Sequence, residues 1–253
     1  MSSSNVQSHQ DRSNIAKLKR EADGSMKRPP STFRNTIEKD GEFPPEKAWA
    51  TRTLIVRQLK GLEDIISLTV TSPRMDPDGW PFANVDDFPG AEIDPLYNSK
   101  HIKDLYLKVD PDFSGRFTVP ILWDKQKSTI VNNESSEIIR IFNSAFNHLL
   151  AREKAEIDLY PEVHRAEIDE LNKWVYDTVN DGVYKAGFAA SQSAYEAAVV
   201  PLFDSLDRLE KILAGKDYLI GDRLTEADVR LFVTINNPTR VVPLGPVPSI
   251  LPL

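Results

Sequence analysis

Residues 115–137 read GRFTVPILWDKQKSTIVNNESSE, and the fold follows from how this run divides. Residues 117–123 (FTVPILW) are β-branched and aromatic, which predicts a strand. Residues 124–128 are a polar turn, and 129–131 a second short strand. After Val131 the period changes from two to 3.6, and residues 134–149 form an amphipathic helix. Its apolar face is Ile138, Ile141, Phe142, Ala145, Phe146 and Leu149. Pro120 lacks a ladder donor, so it belongs at a strand edge, a bulge or a cis turn. As a cis proline it would turn the Val119 backbone outward, ready to pair with an extended peptide ligand. As an edge-strand proline it would do nothing further, and both readings stand. Glu134 and Ser135 occupy N-cap positions, where free N–H groups and positive potential suit a carboxylate and Glu134 suits an ammonium. Plain helix capping explains them as well. Asn133-Glu134-Ser135 also matches the glycosylation sequon, a match put down to chance.

Upstream, Trp49, Thr53, Val56 and Leu59–Lys60 fall at helical spacing, and Gly61 supplies a stop. Residues 65–71 (IISLTVT) read as a buried strand, followed by a loop punctuated by Pro73, Pro77, Gly79, Pro81, Pro89, Gly90 and Pro95. Helix, three strands and helix make a small α+β layer. Downstream the text is helical. Residues 162–178 and 195–213 carry apolar stripes, the second with Tyr195, Val199, Leu202, Leu206, Leu209 and Leu213, and with Pro201 expected to kink it. Thr225-Glu226-Ala227-Asp228 is a capping box with Leu224 and Val229 as its staple. Residues 236–253 hold five prolines and cannot extend a helix.

Composition bounds the chemistry. The chain has 253 residues, 40% hydrophobic and 27% charged, enough apolar content for a core. A net charge of −7 argues against a general nucleic-acid or anionic-membrane partner. There is no cysteine, so disulfides, thiolate metal sites and a cysteine nucleophile are excluded for this chain. His9, His101, His148 and His164 lack ligand spacing, and no metal is expected. The first 30 residues are polar and of mixed charge, read as a disordered, solvated tail without a signal peptide, and the protein is expected in the cytoplasm.

Several long motifs in order resemble one family. Residues 49–63, Gly79-Trp80-Pro81-Phe82, 115–124, 129–137, Leu159-Tyr160-Pro161, 180–189 and 224–232 are similar to segments of the Xi-class, omega-like glutathione transferases, also called glutathionyl-hydroquinone reductases, and most like fungal members. The resemblance spans residues 31–235. It implies a thioredoxin-like glutathione-binding domain at 31–149 and an all-helical substrate domain at 150–235, truncated before an aberrant proline-rich tail at 236–253. By the same resemblance Trp80, Arg116, Phe117, Thr118 and Val119 line glutathione, Glu134 and Ser135 hold its γ-glutamyl end, and Tyr184 is the catalytic acid/base residue. From periodicity Tyr184 is simply a packing residue. The expected partners are glutathione, as substrate, and glutathionylated quinol-type small molecules; a homodimer is left open.

Three departures from the family pattern matter. Lys47-Ala48 stand where the family has Cys-Pro, the strand before them is missing, and the proline-rich tail replaces further helices. A sheet without that strand loses a pairing partner. An amine cannot form a mixed disulfide, so thiol catalysis is expected to be absent. A non-catalytic module binding glutathione, or binding a partner through the sheet edge and residues 241–253, is the alternative.

Overall fold

The computed structural model describes residues 19–27, 30–35 and 51–236. Lys47, the missing strand before it and the tail from 237 onward lie outside the described residues. The chain divides into two compact units, one of residues 30–35 and 64–134, the other of residues 20–27, 51–63 and 135–236. The contacts divide between Glu134 and Ser135, so that helix α1 (Thr51–Leu59) and helix α3 (Ser135–Ser144) group with the helical half. β1 (Lys19–Arg20) and β2 (Met26–Lys27) form a minimal two-residue ribbon.

In the first unit, β3 (Leu122–Asp124) and β4 (Thr129–Asn132) form an antiparallel hairpin with Trp123 opposite Ile130. Its turn closes because the Asp124 carboxylate accepts the N–H groups of Gln126 at 2.7 Å and Lys127 at 2.8 Å. On the far side of β4 the chain returns. The Asn35 N–H donates to the Val131 carbonyl at 3.0 Å, the Asn133 N–H donates to the Phe33 carbonyl at 2.9 Å, and Arg34 bridges Asn132 antiparallel. Residues 33–35 thereby cover a sheet edge. Helix α2 (Ile102–Val109), which sequence periodicity did not single out, buries Ile102, Leu105 and Tyr106 against Phe82, Ile121, Trp123 and Ile130. It starts where the Asp104 carboxylate accepts the backbone N–H of His101 at 3.0 Å.

Two strand expectations need correction. Residues 65–71 join no ladder among the described residues, although Ile66 and Thr69 are buried, as is Ser72 just beyond them. Strand geometry requires a partner, and this segment uses its polar groups on the following loop instead. The Val70 N–H donates to the Glu92 carboxylate, the Glu92 N–H donates to the Val70 carbonyl, and the Ser72 N–H donates to the Pro81 carbonyl, all at 2.8 Å. The strand expected over 117–123 begins only at Leu122, and Pro120 has no N–H to pair.

In the second unit, α1 ends at a Schellman motif: Gly61 at φ 67° donates to the Gln58 carbonyl at 3.0 Å, and Leu62 donates to the Arg57 carbonyl at 2.8 Å. Lys60, fully buried, donates from Nζ to the Ile157 carbonyl at 2.6 Å, and burial holds its ammonium below the usual lysine range. After α4 (Arg152–Ala155), α5 (Arg165–Val175) continues into one wide turn, Tyr176–Asn180, then α6 (Gly182–Gly187). Helix α7 (Gln192–Leu213) runs through Pro201, and α8 (Glu226–Ile235) follows. Ile168, Val175, Val179, Leu202, Leu209 and Leu231 lie in the core between them. The Asp228 carboxylate accepts the Thr225 N–H at 2.8 Å and the Thr225 hydroxyl at 2.9 Å, the local closure expected at this helix start. Glu226, at 2% exposure, is held by Arg140 (2.7 Å), Arg230 (2.9 Å) and Asn172 (3.0 Å).

Residues 20–27 are not a free tail. A turn at Gly24 (φ 86°) accepts the Ala190 N–H at 3.2 Å, the Ser191 hydroxyl donates to the Asp23 carbonyl at 2.9 Å, and Met26 is buried. One apolar side chain and a glycine turn suffice to anchor an otherwise polar stretch. Among the described residues no helix is long and apolar enough to cross a membrane.

Candidate functional site

The candidate site in the first unit is built on the loop before β3 and the end of β4. Phe117 and Val119 are half-buried against the core of α2 and the hairpin, as is Trp80, whose carbonyl accepts the Ile102 N–H at 2.9 Å at the start of α2. Arg116 and Thr118 are also half-buried, so this stretch keeps one side towards solvent. The Val119–Pro120 bond is cis, one of the two conformations the sequence allowed.

A side-chain clasp joins this loop to the β4 terminus. The Tyr106 hydroxyl donates to the Thr118 carbonyl at 2.9 Å and accepts from Asn133 Nδ2 at 2.9 Å; Asn133 Nδ2 also lies 3.5 Å from Thr118 Oγ1. Tyr106 is fully buried, and burial pushes its hydroxyl above the usual tyrosine range, which keeps it a donor. The Phe117 ring meets the Tyr106 ring edge-on at 5.6 Å. The residue preceding Val119 and the residue preceding Glu134 are thus pinned to one phenol.

Glu134 closes the first unit. Its N–H donates to Asn132 Oδ1 at 2.7 Å, an Asx-type turn that fixes the backbone where the helix is about to begin. Its carboxylate accepts the Ser31 hydroxyl at 2.8 Å. Trp80, Phe117, Thr118, Val119 and Glu134 belong to this one unit, with Arg116 beside them. Ser135 and Tyr184 belong to the second unit. Ser135 is the first residue of α3 and its hydroxyl accepts from Arg52 at 3.4 Å. Tyr184 lies on α6 with its ring stacked on Phe188 at 6.3 Å. Sequence reasoning missed Tyr106 as the centre of the clasp and Ser31 as a partner of Glu134. Tyr106 carried one usable signal, its place on the Ile102, Leu105, Val109 stripe; Ser31 carried none.

The arrangement holds the backbone at Thr118 through Tyr106 and the Glu134 carboxylate through Ser31. The first unit supplies no thiol, since the chain has none.

Known proteins agree with this architecture. The family model of the glutathione S-transferase N-terminal domain matches residues 48–145, and that of the C-terminal domain matches residues 192–237. The glutathionyl-hydroquinone reductase YqjG of Escherichia coli is 51% identical over 231 residues, covering 84% of this chain and 69% of the relative. The crystal structure of glutathione S-transferase Xi from Phanerochaete chrysosporium superposes with a TM-score of 0.85 at 68% identity, covering 87% of this chain and 74% of that one. The glutathione-bound structure of YqjG gives a TM-score of 0.75 at 49% identity, over 81% of this chain and 71% of the other. The fold is accordingly a thioredoxin-like glutathione S-transferase N-terminal domain with a helical C-terminal domain, and the chain belongs to the Xi (omega-like) class of the glutathione S-transferase family.

Proposed function

We propose that this chain binds glutathione at the Thr118–Val119 loop and Glu134, within a glutathione-binding domain spanning residues 31–149, and that it does not perform the thiol exchange of its relatives. The single observation that carries the binding half is the Tyr106 clasp, which pins Thr118 and Asn133 to one hydroxyl at 2.9 Å on each side. It holds an extended-peptide docking edge and a carboxylate in fixed register, and preorganisation of this kind lowers the cost of ligand ordering. In this reading the Val119 backbone pairs with the peptide, Trp80, Arg116 and Phe117 flank it, and Glu134 with Ser135 receives the γ-glutamyl end. Tyr184 is proposed as the residue that would serve as acid/base near the electrophilic substrate.

The chemistry half rests on the absence of cysteine. Reduction of a glutathionyl-hydroquinone by the family route needs a thiolate that attacks the glutathionyl sulfur, releases the hydroquinone as its leaving group and is then freed from the mixed disulfide by a second glutathione. A lysine at position 47 forms no such bond. Two assays test the proposal. Glutathione should raise the melting temperature of the wild type and, at the same concentration, raise that of Glu134→Ala by less. Glutathionyl-hydroquinone with glutathione should turn over no faster with the protein than in buffer. Identical melting with and without glutathione rejects the binding half, and turnover above the uncatalysed rate rejects the chemical half.

A further inference from the structure

We propose that Ser31 is a positioning residue of the glutathione site: it orients the Glu134 carboxylate towards the γ-glutamyl ammonium and so sets selectivity for a ligand that carries that amine. The proposal rests on the glutathione-binding reading above and deepens it. Ser31 lies 103 residues from Glu134 in sequence, yet its hydroxyl donates to Glu134 Oε2 at 2.8 Å. A carboxylate oxygen held by a hydroxyl is restricted in rotation, and a carboxylate accepts up to about four hydrogen bonds in all.

The contact is not that of a passing tail, because the two following turns of chain are fastened to the same site. Phe33 donates its N–H to Asn133 Oδ1 at 3.1 Å and accepts the Asn133 N–H at 2.9 Å. Asn35 donates to the Val131 carbonyl at 3.0 Å, and its own carbonyl accepts Asn132 Nδ2 at 2.9 Å. The Phe33 ring meets the Tyr106 ring edge-on at 5.7 Å. Asn133 therefore serves three masters at once: the N-terminal segment through Oδ1, the Tyr106 phenol through Nδ2, and the chain position next to Glu134. Ser31 reaches Glu134 from a strand-like segment that is itself locked to the residue before Glu134. The segment is built as a wall of the ammonium end, and Ser31 is the atom of that wall that touches the carboxylate.

A carboxylate with a fixed rotamer gives up less freedom when it pairs with an ammonium, and an immobilised side chain of this kind changes affinity by about threefold to tenfold. A ligand without the amine gains nothing from that orientation. Glutaryl-cysteinyl-glycine is glutathione without its amino group and supplies the comparison. Dissociation constants of both peptides are measured by titration calorimetry on the wild type, Ser31→Ala and Ser31→Thr, with melting curves to check folding. Ser31→Ala should bind glutathione about threefold to tenfold more weakly, and glutaryl-cysteinyl-glycine as the wild type does. Ser31→Thr, which keeps the hydroxyl, should restore the preference for glutathione. An equal change for both peptides in Ser31→Ala, or no change for either, overturns the proposal while leaving glutathione binding intact. A wild type that binds neither peptide overturns the binding reading and this proposal with it.

Discussion

Replacing Tyr106 with phenylalanine removes one oxygen and leaves the ring in place, so packing changes little and the clasp alone is tested. Two hydrogen bonds of 2.9 Å disappear, to the Thr118 carbonyl and from Asn133 Nδ2, together with a longer one of 3.2 Å between the phenol and Thr118 Oγ1. A hydrogen bond contributes about 1 kcal/mol net when both partners can be rehydrated, whereas a buried partner left unsatisfied costs about 1–3 kcal/mol instead. The penalty falls at the low end, because Thr118 is half-buried and water can reach its carbonyl, while Asn133 Nδ2 keeps Thr118 Oγ1 at 3.5 Å. The expected loss is about 2 kcal/mol in urea unfolding, or about 4–8 °C in melting temperature for a protein of this size. Because the clasp also holds Thr118–Val119 against the β4 end, glutathione affinity should fall in the same variant. The phenol adds a pH signature. Its folded value is raised above the ordinary 10.0, so the folded state keeps a proton that the unfolded chain releases. Wild-type stability should therefore decline as pH climbs through and beyond about 10, and Tyr106→Phe should lack that component. A stability change below about 0.5 kcal/mol with unchanged glutathione affinity would refute the assignment of Tyr106 as the clasp.

Three further outcomes follow from the second unit. Arg140→Met removes a guanidinium that contacts Glu226 at 2.7 Å and Asp169 at 2.5 Å, leaving a carboxylate of 2% exposure with Arg230 and Asn172 as its remaining described partners. Breaking a buried pair costs about 3–5 kcal/mol, and partial exposure of the arginine with a second cation nearby reduces this to about 2 kcal/mol in denaturant unfolding. Gly61→Ala forces a Cβ into a φ of 67° and to within 3.1 Å of Lys154, so the Schellman motif should weaken and urea unfolding should show a loss of about 1 kcal/mol. Lys60→Met tests the buried ammonium. Burial holds the lysine below its ordinary 10.5, so the unfolded chain binds more protons in the window between the folded value and 10.5, and wild-type stability gains as pH rises through it. The stability of Lys60→Met relative to wild type should therefore fall as pH rises towards 10.5; a pH-independent difference would contradict a buried charge.

How far the sequence carried the fold depended on the range of each interaction. The end of α1 was legible because a Schellman motif lies within six residues and announces itself by Gly61. The hairpin of β3 and β4 and the start of α3 were legible for the same local reason, a polar turn at Asp124 and Asn132-Asn133-Glu134 at a change of period. Residues 65–71 looked like a strand since β-branched residues fit one, yet a strand exists only through its partner, and Glu92 and Pro81 take its polar groups instead. Helix α2 escaped notice because eight residues after a long turn-rich loop give a weak periodic signal. In the site, Val119 and Glu134 could be found from backbone logic at their own positions. Tyr106 and Ser31 act across 12 to 103 residues of chain, and no local pattern encodes such contacts. The absence of cysteine was legible outright.

Titration of glutathione into the wild type and into Glu134→Ala, followed by calorimetry, tests the central claim most directly. Loss of one charged hydrogen-bond partner costs about 2 kcal/mol, close to a 30-fold change in affinity. The account predicts one saturable site in the wild type and binding weaker by about that factor in Glu134→Ala. Equal affinities for the two proteins, or no heat of binding in the wild type, would contradict it.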